Sequence, residues 1–482
     1  MTKLELNDIQ GIILRTYGSK RQAHYMFLTI QDPASAKKWM ASVVPDITTV
    51  DKKEGTAYIN MGITCQGMRA LGFGDDVINS FPNEITDGPL SDHKLRMLGD
   101  TFVNDPKNWY WGNQETASQM HILVMIYADT PDNLQIQISK IVQSSVASGL
   151  TVYQHFPSHL NKDNKEHFGY RDGISQPGVL GFRDPKKKNV YEFESQVAPG
   201  EFILGYENEY KVCPTSPMVQ DNTTTLLQPS PLNEDMKDLG RNGSYLVFRQ
   251  LEEDVKGFWN FVLESARGHY GKDDVDMAEY VGAKMFGRWT SGAPITLHPE
   301  KDPLTGDKEN DYNYAANDFD GLKCPVGAHA RRANPRDAFY AQDATKTSTD
   351  FLKKHRLIRR ARPYGDPIAE SMQLKDILAA PDPGPDNKRG IYFICINADF
   401  SRQFEFMQQT WIVNPKFKDF YADPDPLMGS PDLKEMGLTQ YFTIPEEPIR
   451  QRVSGVQTFV TTKGSAYFFM PGKKALQYIA EH

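Results

Sequence analysis

The order of apolar segments constrains this chain most. His24 to Gln31 (HYMFLTIQ) is apolar and β-prone, and Pro33 to Val43 is predicted to be a helix with proline in its first turn. Gly55 to Thr64 and His121 to Tyr127 are predicted strands. Asp132 to Ser145 places Leu134, Ile138, Ile141 and Val142 at i, i+4, i+7 and i+8, one face of a helix, and Thr151 to Phe156 closes the unit as a strand. A similar order returns: Ser244 to Gln250 as strand, Leu251 to Ala266 as helix, Arg389 to Asn397 as strand, Phe400 to Thr410 as helix, Gly464 to Met470 as strand. Strands and helices in separate layers, twice over, imply an α+β architecture.

Polar stretches interrupt the pattern at Ser216 to Lys237 and at the acidic Pro299 to Asp318. Loops of this length are usually functional. The break between the halves is placed near residue 200, giving units 1–200 and 201–482. The formal net charge of −8 gives no electrostatic support to a nucleic-acid role. The first residues lack a basic and apolar leader pattern, and no run of about 18 apolar residues occurs, so a soluble cytoplasmic protein without a membrane span is expected. The four scattered cysteines form no CxxC pair, which fits reduced thiols better than disulfides or a zinc site.

Two segments carry chemistry. Gly169-Tyr170-Arg171-Asp172-Gly173 runs on into Ile174-Ser175-Gln176-Pro177 and presents an acid between glycines on a tight turn, though an ordinary Asp-Gly turn has the same appearance. Cys324 to Arg336 holds His329 among Arg331, Arg332 and Arg336 and ends at Asn334-Pro335-Arg336. One imidazole for iron and guanidinium groups for carboxylates is what a haem site needs; a basic helix end is the plainer alternative. Downstream, His355-Arg356-Leu357-Ile358-Arg359-Arg360-Ala361-Arg362-Pro363-Tyr364-Gly365 reads either as a solvated basic patch or as the source of a further site arginine.

Together these segments resemble the dye-decolorizing peroxidases, and matches such as Asp8 to Leu14, Ala198 to Phe202, Gly240 to Tyr245 and Arg402 to Phe406 spread the resemblance over nearly the whole chain. The insert lengths suggest the longer C and D subgroups. The resemblance implies two ferredoxin-like α+β domains with antiparallel sheets, barrel-like, with haem b between them. It implies Asp172 as acid–base group and Arg359, four residues before Pro363, as the arginine assisting O–O heterolysis, Arg360 being the adjacent alternative. His329 becomes the iron ligand, with Glu405 as acceptor for its Nδ1–H. Ile174, Gln176, Arg336, Ile391 and Phe393 are placed around the cofactor, the isoleucine standing where leucine is frequent.

The activity so implied is hydrogen-peroxide-dependent oxidation of dyes, phenols or related aromatic donors in one-electron steps, by a monomer or small homo-oligomer. Tyr364 is the one relay candidate named for bulky donors. Two rival readings are a haem carrier or iron-releasing chelatase, which makes no demand on Asp172 plus Arg359, and a ferredoxin-like binding module without haem.

Overall fold

The computed structural model describes residues 3–52, 54–161, 164–182, 195–271, 274–305, 309–340, 344–382, 384, 386–429 and 435–482. Residues 306–308 of the acidic stretch lie outside them. The first half runs β1 (Gln22–Ile30), α1 (Pro33–Val43), β2 (Ala57–Ile63), β3 (Ile122–Ala128), α2 (Pro131–Ala147) and β4 (Leu150–His159). Both helices start as the sequence dictates. Asp32 Oδ2 accepts the Ser35 N–H at 2.8 Å ahead of Pro33, and Thr130 Oγ1 accepts the Asn133 N–H at 3.2 Å ahead of Pro131.

The second half supplies β5 (Ser244–Glu253), α3 (Val255–Tyr270), α4 (Val275–Phe286), α5 (His329–Ala333), β6 (Ile358–Arg359), β7 (Arg362–Tyr364), β8 (Gly390–Asn397), β9 (Val460–Met470) and α6 (Lys473–Glu481). One sheet links the halves in the order β4-β1-β3-β2-β9-β5-β8-β6, with β7 also on β8 and all these pairings antiparallel. Within each half the order is fourth, first, third, second, which is the ferredoxin-like arrangement expected. The halves join where Phe469 pairs with Ile63. Gly62 allows that approach, since a Cβ there would lie 3.1 Å from Phe468 Cβ. At the far edges Ser158 Oγ on β4 donates to the Pro363 carbonyl on β7 at 2.8 Å, so the sheet curls toward closure.

The strands are buried on both faces, which the two-residue period explains. Met26, Leu28, Val124 and Ile126 pack with Trp39, Met40, Ile141 and Leu476 under the helices. Their alternates Phe27, Leu123 and Met125 pack with Phe248, Phe468 and Ile394 inside the barrel, where both halves meet.

Two expected boundaries move. β5 continues to Glu253, because Leu251 pairs with Ile391 and Glu253 with Val460; α3 then starts at Val255, capped by Asp254 Oδ1 on the Gly257 N–H at 2.8 Å. The helix expected over Phe400 to Thr410 is a short turn, Phe404–Phe406, widening into a π-helical turn, Met407–Ile412. Helix α4 went unread in the sequence although its ends are signalled: Asp274 caps the Met277 N–H at 2.7 Å, and Gly287 ends it at φ 90°.

Candidate active site

The helix-side face of β5 that begins with Tyr245 and Val247 continues through Arg249, Leu251 and Glu253, and these last three border a cavity of about 260 Å³. A single water needs roughly 10–15 Å³ of such space. Ile391 and Phe393, two apart on β8, present the same face to it. Phe286, Leu427, Met428 and Val460 complete an apolar wall.

Asp172 enters from the turn after Gly169. That glycine has φ +93°, and a Cβ would sit 3.0 Å from the Met372 carbonyl, so the bend requires glycine. Arg359 Nη1 donates to Asp172 Oδ1 at 2.9 Å; the two side chains are 33% and 35% exposed, and both border the cavity. Burial pushes the Asp172 carboxyl up, but the Arg359 charge and hydrogen bond and the Gly173 N–H outweigh it and hold it below the ordinary carboxylate value. Gln176 Oε1 accepts the Arg359 main-chain N–H at 3.0 Å. Gln176 thus positions the arginine and does not border the cavity, in contrast to Ile174.

The neighbouring arginines have other work. Arg360 donates Nε to the Ile12 carbonyl at 2.7 Å and Nη2 to the Ile13 carbonyl at 3.1 Å. Arg362 Nη2 reaches the Tyr17 carbonyl at 3.0 Å. Tyr364 is buried with its ring stacked on Tyr392 at 4.6 Å, a packing position. The basic run is therefore not a solvated patch.

His329 begins α5 and borders the same cavity. Its Nδ1 lies 2.9 Å from Asp425 Oδ2, and among the described residues its ring makes no other hydrogen bond. Asp425 Oδ1 accepts the Leu427 and Met428 N–H groups, each at 2.9 Å. Burial would raise the Asp425 carboxyl; His329, Arg332 and the Met428 N–H prevail and hold it below the usual range.

This corrects the expectation for Glu405. Its carboxylate is ion-paired with Lys94 and accepts the Tyr467 hydroxyl at 3.2 Å, because its short helix turns it toward β9 and not toward His329. Asp425, 96 residues from His329 and between two prolines, was the residue missed; no periodic signal marks it. Arg336 borders the cavity, with Nη1 on the Asn310 and Tyr312 carbonyls at 3.0 and 2.5 Å and its guanidinium 3.6 Å from the Tyr312 ring centroid. Arg331 and Arg332 are structural: Arg331 binds Asp318 and the Cys324 carbonyl, and Arg332 binds the Gly327 and Trp411 carbonyls.

Residues 8–158 match the family model described as the DyP dimeric alpha+beta barrel domain. The dye-decolorizing peroxidase of Mycena epipterygia is 27% identical, over 99% of this chain and 87% of its own length. The multifunctional dye peroxidase DyP2 of an Amycolatopsis species is 28% identical, over 97% and 94%. The chain is similar over nearly its whole length to dye-decolorizing peroxidases, and its first third matches their domain model. The fungal DyP-type peroxidase structure from Auricularia auricula-judae, 24% identical, superposes with a TM-score of 0.78 over the whole of both chains, which confirms the fold of this dye-decolorizing peroxidase relative. A solved dye-decolorizing peroxidase in complex with 2,6-dimethoxyphenol is 26% identical, with a TM-score of 0.75 over 99% of this chain and 100% of that one. These relatives support an oxidoreductase acting on peroxide, with a haem cofactor. Among the described residues no helix is long and apolar enough to cross a membrane.

Proposed function

We propose that the chain binds haem b in the cavity with His329 as iron ligand and reduces hydrogen peroxide while oxidising aromatic donors, dyes and phenols among them, in one-electron steps. The observation that carries this reading is the Asp172–Arg359 pair bordering the same cavity as a carboxylate-backed histidine. The donor set suits the group: one imidazole, apolar and aromatic walls, and Arg336 at the border for an anionic arm. The solved relative holding 2,6-dimethoxyphenol supports phenols as donors.

Haem, when bound, supplies the redox chemistry, passing two electrons to peroxide and recovering them singly from donors. Asp172 takes the proton from one peroxide oxygen and returns it to the other as the bond between them breaks. Arg359 stabilises the negative charge that develops on the departing oxygen and keeps the Asp172 carboxylate aimed. Asp425 fixes the His329 tautomer with Nδ1 protonated and Nε2 left as the ligating atom.

Replacing Arg359 by Leu should slow the peroxide-driven Soret change by about 10²–10³-fold, measured by rapid mixing. A rate near wild type would show that Arg359 is not the assisting arginine. Asp425→Asn should weaken haem binding or lower activity by about 10–100-fold, read by haem titration and steady-state assay, whereas Glu405→Gln should leave haem affinity close to wild type.

A further inference from the structure

Reducing one peroxide to two waters takes up two electrons and two protons. Asp172 moves a proton that peroxide itself brings, so the first water forms without net proton uptake. The second water needs two protons from elsewhere, and Asp172, ionised beside Arg359, holds none in reserve.

Two further carboxyl groups border the same cavity, Glu166 and Glu253. Glu166 starts the turn that carries Asp172: its Oε2 accepts the Phe168 N–H at 2.8 Å and its Oε1 the Tyr170 N–H at 2.7 Å. Glu253 ends β5, is 7% exposed and accepts the His167 main-chain N–H. Its Oε2 is buried with no hydrogen-bond partner among the described residues. A desolvated carboxylate oxygen without a donor is costly to keep charged, and such a group relaxes by taking up a proton.

The cations around the pair do not neutralise Glu253. Arg249, on the same strand, is bound to Asp100 and Arg359 to Asp172. Arg288 and Arg336 are bound to main-chain carbonyls, Arg389 Nη2 donates to the Asn387 carbonyl and Lys165 acts on Glu166. Arg171 and Arg356 also border the cavity, but the charges acting on Glu253 are those of Glu166 and Asp172. Burial, reinforced by the charges of Glu166 and Asp172, raises Glu253 well above the carboxylate range. Burial also raises Glu166 to about 8 against the Phe168 and Tyr170 N–H groups. A metal site is the weaker reading, since no group of three or more ligating side chains is assembled among the described residues.

We propose that Glu253, paired with Glu166, is the proton store of this cavity: it gives up its carboxyl proton through water toward the Asp172 side once with each of the two electrons that form the second water, and is reprotonated from solvent after each transfer. Each oxidised donor releases its own proton to solvent. The electrons of that step come from the aromatic donor, and Glu253 is left as carboxylate until the solvent proton arrives. The proposal rests on the peroxidase reading above.

The test is sequential mixing of the haem-loaded enzyme, first with one equivalent of peroxide and then with 2,6-dimethoxyphenol. Glu253→Gln should leave the first phase within about twofold of wild type and slow the second about tenfold or more near pH 7.5, the defect shrinking toward pH 5 as solvent protons become abundant. Glu253→Asp should restore most of the second-phase rate. An unchanged second phase, or equal slowing of both phases in Gln and Asp variants, would overturn the proposal. Difference infrared spectroscopy of the wild-type protein gives a readout independent of turnover. A protonated-carboxyl band persisting at neutral pH and absent from Glu253→Gln is expected; its absence from wild type counts against the store. A wild type with no first phase would instead refute the peroxidase reading, and the infrared result would still decide the state of Glu253.

Discussion

Asp172→Asn should slow the peroxide-driven change of the Soret band by about 10²–10⁴-fold, the range lost when a positioned proton-transfer group is removed. The asparagine keeps the size of the side chain and a contact to Arg359 Nη1 but cannot accept a proton from peroxide. Retained haem binding in this variant would separate chemistry from cofactor loss, since His329 and Asp425 are untouched. The pH dependence gives a second readout. Arg359 and the Gly173 N–H favour the ionised form of Asp172, so its folded value lies below the ordinary carboxylate value, against the push of burial. The wild-type rate should therefore persist into acid and fall only as pH drops through that lowered value. The stability the ion pair contributes should be present above the unfolded value near 3.8 and lost over the same descent. The Asn variant should lack this acidic limb in rapid mixing from pH 3 to 7.

The largest expected loss of stability lies at the cavity wall. Asp100 and Arg249 form a bidentate pair whose side chains are 1% and 3% exposed; Arg249 Nη1 lies 3.0 Å from Asp100 Oδ2, and Nη2 donates to Thr462 Oγ1 at 2.8 Å. Asp100→Ala should cost about 3–5 kcal/mol, because the guanidinium stays buried with its counter-charge gone. Replacing both partners, Asp100→Leu with Arg249→Met, should cost clearly less than Asp100→Ala, since no charge is then stranded. Chemical denaturation of the three proteins checks this. A loss below about 1 kcal/mol for Asp100→Ala would place the pair among ordinary surface contacts.

Much of this molecule was legible in its sequence where one physical period dominates. β1, β3 and β8 are apolar because the sheet is covered on both faces, and α1 begins at Pro33 because Asp32 caps it. Asp172 and His329 stand out in local motifs and Arg359 only through the family resemblance, and the folded chain brings all three to one cavity. Legibility failed where partners are set by chain crossings. Glu405 and Asp425 are both acids near aromatic or proline residues, and only the path of the π-helical turn and the Pro-flanked loop decides which one reaches His329. Glu253 lay inside a segment read as helix, so its place at the end of a strand facing the cavity was hidden. The run from Arg356 to Arg362 reads either as a charged surface or as the source of a site arginine, because a sequence does not show that the guanidinium groups of Arg359, Arg360 and Arg362 go to different carbonyls or a carboxylate.

The most direct measurement is rapid-mixing absorption of the haem-loaded wild-type protein with one equivalent of hydrogen peroxide, followed by an aromatic donor. The expected result is a fast change of the Soret band that the donor reverses. A Soret band that forms on haem addition but does not respond to peroxide would contradict peroxidase chemistry and point to haem carriage or iron release.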